Sequence, residues 1–200
     1  MFGSTMMWDH QLFLWLNFDG GQLFDSIMLF ASGKLSWVGL YLLILWLAFR
    51  RYGWRGVLLT LVVIGCAVGI SDIVAGIFKH TGPLKHLLPS FPVRLRPMYT
   101  PELEGMVHII THGGKYGTVS AHASTATSIA MLSSLIINKK WFSIVMLLQA
   151  SIVCYSRIYL SYHFPQDILL GCGVGVVSAL VMWRGFVWGI KKIDDAKDRY

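Results

Sequence analysis

The chain has 200 residues, 55% of them hydrophobic and only 14% charged, with a mean hydropathy of +0.59. A soluble domain carries about 25% charged residues, and here the deficit falls in long apolar blocks, which excludes an ordinary water-soluble fold. The net charge of +7 does not point to nucleic acid, because the basic residues sit in short clusters between apolar runs, where membrane topology accounts for them.

In chain order, residues 8–17 and 22–32 are apolar but broken by Asp19-Gly20-Gly21. Within the N-terminal stretch 1–34 they read as two interfacial helices or as one irregular span. Residues 35–49 form the first long apolar run, followed by Arg50, Arg51 and Arg55; residues 57–78 form the second. Residues 80–118 hold five of the six prolines and make a loop too long for a simple connection, the kind that carries function. Three further runs cover 119–138, 141–156 and 168–190, the first rich in small residues. A span takes roughly 20 residues, so the shorter runs must borrow flanking turns. The expected fold is therefore all-α: a single membrane-embedded domain, a polytopic transmembrane bundle of about five or six membrane helices.

Charge sets its orientation. Arg50, Arg51 and Arg55, then Lys139 and Lys140, then Lys191 and Lys192 fall on alternate connections, so they share one side, which the positive-inside rule makes cytoplasmic. The acidic N-terminus (Asp9, Asp19, Asp25) weakly favours the other side, and the 80–118 loop and the 157–164 connection fall there. Trp37, Trp54, Trp141 and Trp188 flank apolar runs as interfacial anchors do. Cys66, Cys154 and Cys172 lie inside apolar runs with neither metal-site nor disulfide spacing and read as packing residues. The N-terminus has no basic n-region, which argues against a removed signal peptide.

Three polar groups gather on the non-cytoplasmic face. The last is Ser156-Arg157-Ile158-Tyr159-Leu160-Ser161-Tyr162-His163-Phe164-Pro165-Gln166-Asp167. Pro165 suits the first turn of the final helix, and that turn brings Asp167 back toward His163. A carboxylate there holds the imidazole N–H and leaves the other ring nitrogen free to attack phosphorus. Arg157 offers a planar fork for phosphate oxygens. The second group is Tyr116-Gly117-Thr118-Val119-Ser120-Ala121-His122. Ser120 is placed to cap the helix that follows, whose free N–H groups favour an anion. His122, one turn inside, is placed to protonate a leaving oxygen. The third group is basic: Lys79, Lys85, Arg94 and Arg96-Pro97, suited to neutralising phosphate oxygens.

Each has a plainer reading when taken alone. Asp167 complements a helix dipole, His122 faces a neighbouring helix, His163 is an interfacial histidine, and Arg94 and Arg96 are headgroup anchors. His80, His86, His108 and His112 show no paired spacing and read as loop residues. Asp72, inside the second long run, either supports a basic residue of the site from two turns before Lys79 or makes an interhelical hydrogen bond. The conjunction on one membrane face favours chemistry.

With these residues the chain resembles the type 2 phosphatidic acid phosphatase superfamily. Its third motif, Ser-Arg, five residues, His, three residues, Asp, is matched in full by Ser156, Arg157, His163 and Asp167. Its second, Pro-Ser-Gly-His, is matched as Val119-Ser120-Ala121-His122. Its first, Lys, six residues, Arg-Pro, is met by Arg96-Pro97, but the lysine position is Pro89. Lys79 at the end of the second run is the better match, through an insertion of about ten residues counted against the motif, with Lys85 as the alternative.

The resemblance implies an extracytoplasmic active site in a bacterial cytoplasmic membrane that cleaves a phosphate monoester or diphosphate of a lipid. In it His163 is the nucleophile that becomes a phosphohistidine, Asp167 orients it and His122 is the general acid. Arg157, Ser120, Arg96 and Lys79 bind phosphate, with Lys85, Arg94 and Asp72 in support, and no metal or other cofactor is required. The expected partners are the bilayer and a phosphorylated lipid: undecaprenyl diphosphate, phosphatidylglycerophosphate, phosphatidic acid or a lipid A phosphate. The alternatives are a lipid phosphotransferase, a vanadate-dependent haloperoxidase, and a headgroup-binding or transport protein with a degenerate site. Oligomeric state is not readable; Gly171, Gly173 and Gly175 suit packing within or between chains.

Overall fold

In a bilayer a chain must satisfy its own backbone hydrogen bonds, and the apolar runs accordingly become helices. The computed structural model describes residues 2–33, 35–78, 82–88 and 94–197. Its helices are α1 (Phe2–Leu16), α2 (Gly21–Ser32), α3 (Val38–Ile77), the single turn α4 (Pro83–Leu87), α5 (Ala121–Ile137), α6 (Lys140–Tyr159) and α7 (Pro165–Lys197). Short 3-10 turns cover Leu35–Trp37, Pro97–Tyr99 and Pro101–Leu103. Among the described residues the only extended pairing is one isolated bridge, Leu95 with Tyr116. The fold is all-α.

Straight, the 40 residues of α3 would reach about 60 Å, twice the roughly 30 Å hydrocarbon core. The helix breaks at Gly53, whose φ of 69° is left-handed and open to glycine without a Cβ clash. Both arms then feed one core. Ile44, Leu47 and Ala48 come from before the break and Val63 and Ala67 from after it, joined by Leu132 and Ile136 of α5, Met146 of α6 and Phe186 of α7. The two arms of α3 with α5, α6 and α7 are the counterparts of the five apolar runs.

The chain is a membrane protein: α3, α6 and α7 are long and apolar enough to cross a bilayer. They expose Leu58, Leu61, Ile73, Leu147, Leu148, Leu169, Leu170 and Val177, a surface that fits lipid and not water. Helix α5 differs because it packs against α3, α6 and α7. Its small and hydroxyl-bearing residues (Ala123, Ser124, Ala126, Ser128, Ala130) face neighbouring helices and are buried. That placement accounts for its modest hydropathy.

Close approach of α5 and α7 depends on two glycines. A Cβ on Gly171 would lie 2.5 Å from the Ser120 carbonyl oxygen, and one on Gly175 would lie 2.4 Å from that of Ser124; one on Gly173 would meet nothing within 4 Å. Gly171→Ala is therefore expected to cost about 1–3 kcal/mol through overpacking, with Gly173→Ala within about 0.5 kcal/mol of the parent. Thermal unfolding in detergent checks both.

Two of the basic clusters meet at one end of the bundle. Arg51 donates to the Ile137 carbonyl, and Arg50, Arg51 and Lys139 line one hollow. From Lys140 there, α6 rises about 26 Å to Arg157 at the other end. The two N-terminal segments are separate helices of 15 and 12 residues, each short of a span, packed against α6 and α7 at the Arg157 end.

Candidate active site

The corner between α6 and α7 is held tightly. The amides of Tyr162 and His163 both donate to the Arg157 carbonyl, at 3.0 and 3.2 Å. Ser161 adopts a left-handed φ of 59°, a conformation that costs a non-glycine residue on the order of 1 kcal/mol. Its side chain offsets this: Ser161 Oγ donates to the His108 carbonyl at 2.7 Å and accepts from Asn17 Nδ2 at 3.1 Å. Asn17 Nδ2 also reaches the Tyr159 carbonyl at 2.6 Å. Asp25 accepts from the Tyr159 hydroxyl at 2.6 Å and lies 3.0 Å from His108 Nε2. The end of α1, the start of α2 and the 80–118 loop thus clamp this corner. His108, which had read as a plain loop residue, is part of the clamp.

Two guanidinium groups converge on Tyr162, with Arg157 Cζ 4.1 Å and Arg96 Cζ 5.2 Å from its ring centre. Arg157 is buried, donates to Ser32 Oγ, and leaves its Nε without a partner. Arg96 Nε donates to the Tyr116 carbonyl at 3.2 Å. Among the described residues neither pairs with a carboxylate. Gly113 and Gly117 make room for this arrangement. A Cβ on Gly113 would lie 2.4 Å from Arg96 Nη1 and from Tyr162 Cε1; one on Gly117 would lie 3.1 Å from Arg96 Cγ and 3.3 Å from His163 Cε1.

His163 and Asp167 are both buried. Their Nδ1 and Oδ2 atoms lie 3.5 Å apart, a contact longer than a good hydrogen bond and of the kind that tightens when substrate binds. Burial lowers the His163 pKa from its ordinary value; Asp167 opposes this, and the positive charges of Arg157 and Arg96 reinforce it. The ring is thus held neutral at neutral pH. Asp167 Oδ2 also accepts the Phe164 amide at 3.1 Å, and Oδ1 faces Arg94 Nη1 at 3.3 Å.

Arg94 is not a headgroup anchor. Its guanidinium turns inward, 3.8 Å over the Phe164 ring, and bridges Asp167 to Asp9 of α1. Asp9 is fully buried and accepts the Gln166 amide at 3.0 Å. On the other side Phe164 stacks with His10 at 4.8 Å. The sequence had offered Asp9 only as one of three acids weakly marking the N-terminal side. The missed signal was an acid within an apolar stretch, the same signal that drew attention to Asp72.

Ser120 caps α5, its Oγ accepting the Ala123 amide at 3.3 Å, and its own amide donates to the Asp167 carbonyl at 3.2 Å. That second bond ties the start of α5 to the start of α7. His122 is the second residue of α5, in its first turn and not a full turn inside. It lines a cleft with Ser32, Asp72 and Gln149. Lys79 lies outside the described residues, and Lys85 falls in α4 with nothing described of its side chain.

Two guanidinium groups in no ion pair among the described residues, beside a neutral, buried imidazole at one end of a membrane bundle, complement a substrate that brings its own negative charge, and the protein is a membrane phosphatase. It belongs to the PAP2 superfamily, which matches residues 70–191. A lipid A 4'-phosphatase of Bacteroides thetaiotaomicron is 30% identical over 171 residues, covering 84% of this chain and 72% of that protein. One from Porphyromonas gingivalis is 27% identical, covering 90% and 73%. An undecaprenyl-diphosphatase of Sulfolobus acidocaldarius is 24% identical, covering 92% and 82%. The fold is shared with LpxE of Aquifex aeolicus, with a TM-score of 0.61, 20% identity and coverage of 87% and 93%. It is shared also with a PAP2-type phosphatidylglycerolphosphate phosphatase of Bacillus subtilis, with a TM-score of 0.64, 20% identity and coverage of 92% and 86%.

Proposed function

We propose that the protein hydrolyses a phosphate ester of a membrane lipid through a phosphohistidine, at the outer face of a bacterial cytoplasmic membrane. The observation that carries this is the pair Arg96 and Arg157, converging beside His163 and, among the described residues, in no ion pair with a carboxylate. A phosphoryl group supplies the missing negative charge and accepts their unused N–H groups.

With Nδ1 facing Asp167, the free nucleophile is His163 Nε2. It attacks phosphorus, a P–N bond forms, and the bond from phosphorus to the lipid oxygen breaks. His122 gives a proton to the departing oxygen. Water, deprotonated by His122, then attacks phosphorus; the P–N bond breaks and inorganic phosphate leaves. Arg96, Arg157, the Ser120 hydroxyl and the free N–H groups opening α5 hold the phosphoryl oxygens, a role Lys79 shares by resemblance. This charge supports chemistry without a metal. The outward orientation rests on basic clusters lying about 26 Å away at the opposite end. Among substrates a lipid A phosphate leads, since two of the relatives similar in sequence are lipid A 4'-phosphatases.

The test is phosphate release by the detergent-purified protein, with EDTA present, from lipid A 4'-monophosphate, phosphatidylglycerophosphate, phosphatidic acid and undecaprenyl diphosphate. Release from at least one lipid, with phosphate trapped on His163 in a rapid acid quench, supports the reading; no release from folded protein overturns it. Because the His163 pKa is lowered, the nucleophile stays unprotonated as pH falls through the ordinary histidine value of about 6.5. The acid limb of kcat/KM is therefore expected below that pH; a limb above it contradicts the assignment.

A further inference from the structure

A cleft of about 280 Å³ opens between α2, α3, α5 and α6, lined by apolar side chains such as Val68, Ile129 and Val153. At about 30 Å³ per water this is room for a group the size of one sugar ring. It borders the phosphate site through two side chains. Ser32, which lines it, accepts from Arg157, and His122, the proposed acid, lines it too.

Besides the hydroxyl-bearing Ser32, Tyr41 and Thr125 and the ring of His122, its polar lining is Gln149 and Asp72. Gln149, halfway along α6, is 4% exposed, and its Oε1 has no hydrogen-bond partner. Asp72 lines the same cleft from within the second arm of α3 and makes no hydrogen bond or ion pair among the described residues. An amide oxygen and a carboxylate at membrane depth are costly unless something satisfies them, and polar groups so placed mark ligand sites. The Asp72 carboxylate only accepts, so a ligand that pairs with it brings donors, and the Gln149 amide can accept from such a ligand through its unpartnered oxygen as well as donate.

We infer that this cleft receives the alcohol half of the substrate, and that Asp72 and Gln149 select phosphate esters whose alcohol carries hydroxyl or amide N–H donors. This rests on the phosphatase reading and narrows its substrate class. The ester oxygen sits at the mouth, between Arg157 and His122, and the donor-bearing group lies behind it. A hydrocarbon or diacylglycerol alcohol leaves both acceptors unmet, and sites built to hydrogen-bond a substrate discriminate strongly against analogues lacking the donor.

The experiment compares kcat/KM for two donor-bearing probes, lipid A 4'-monophosphate and phosphatidylglycerophosphate, with that for two donor-free ones, phosphatidic acid and undecaprenyl diphosphate. It uses wild type, Gln149→Leu, Asp72→Leu and Asp72→Asn in one detergent. The readout is the ratio between the two classes within each variant, so any loss of folded protein cancels. Wild type is expected to favour the donor-bearing class at least tenfold. Gln149→Leu and Asp72→Leu should each cut that ratio at least tenfold, and Asp72→Asn, which keeps an acceptor oxygen, should cut it less. Turnover without that preference, or a preference unchanged in both leucine variants, overturns the inference and leaves the phosphatase reading standing. Turnover of none of the four by folded wild type overturns both.

Discussion

His163→Ala is expected to lower kcat for phosphate release at least about 10³-fold while changing KM little. Losing a covalent nucleophile removes the step itself, and residual rates then come only from positioning and charge. The two guanidinium groups keep their supports: Arg157 is held by Ser32 and stacks on Tyr162, and Arg96 is held by the Tyr116 carbonyl. Phosphate should therefore still bind, and tighter retention of unreacted lipid by this variant is the companion observation. His122→Ala should cost about 10²–10⁴-fold, the usual range for a general acid, and least for substrates with good leaving groups. Steady-state kinetics in detergent, with monodispersity confirmed for each variant, decides. More than a tenth of wild-type kcat in His163→Ala would end the nucleophile assignment.

Arg94→Met carries the second large effect, on stability as well as rate. Asp9 and Asp167 are 0% and 2% exposed, and Arg94 is the cation between them. Removing it leaves two buried carboxylates facing each other, and breaking a buried pair this way costs about 3–5 kcal/mol. One carboxyl should then take up a proton. If that is Asp167, it no longer holds the His163 N–H, and kcat should fall by roughly two orders of magnitude. Adding Asp9→Asn to Arg94→Met removes one unpaired charge and should recover part of the stability, so a double-mutant cycle isolates the coupling. Thermal unfolding and kcat are measured for the parent, the two single variants and the double. A loss below about 0.5 kcal/mol with unchanged kcat would show that Arg94 does not position the pair.

That relay shows where sequence reading stops. Arg94 lies 85 residues from Asp9 and 73 from Asp167. No local pattern joins them, because the three meet only once α1 lies against the end of α7. Tyr162 had no role as a letter between Ser161 and His163, yet it separates two guanidinium groups. Asn17, Asp25 and His108 likewise gain a role only from the clamp they build around Ser161. Gln149 is one polar residue in an apolar run until packing leaves its oxygen unpartnered beside Asp72.

By itself the sequence determined the features set by solvent and by local spacing. Hydropathy marked the five apolar runs, because lipid selects residue by residue. The alternating Arg and Lys clusters placed two connections at one end, because charge does not cross a bilayer cheaply. The Arg157, His163 and Asp167 spacing was legible because one helix end and the first turn of the next bring those residues together. Tertiary structure alone decided that α5 is the internal helix, that α1 supplies a buried acid to the site, and that Arg94 turns inward. It alone opened a cleft that Asp72, His122 and Gln149 line together. These depend on which helix faces meet, and that choice is made by packing between segments far apart in the chain, where no short-range period or spacing records it.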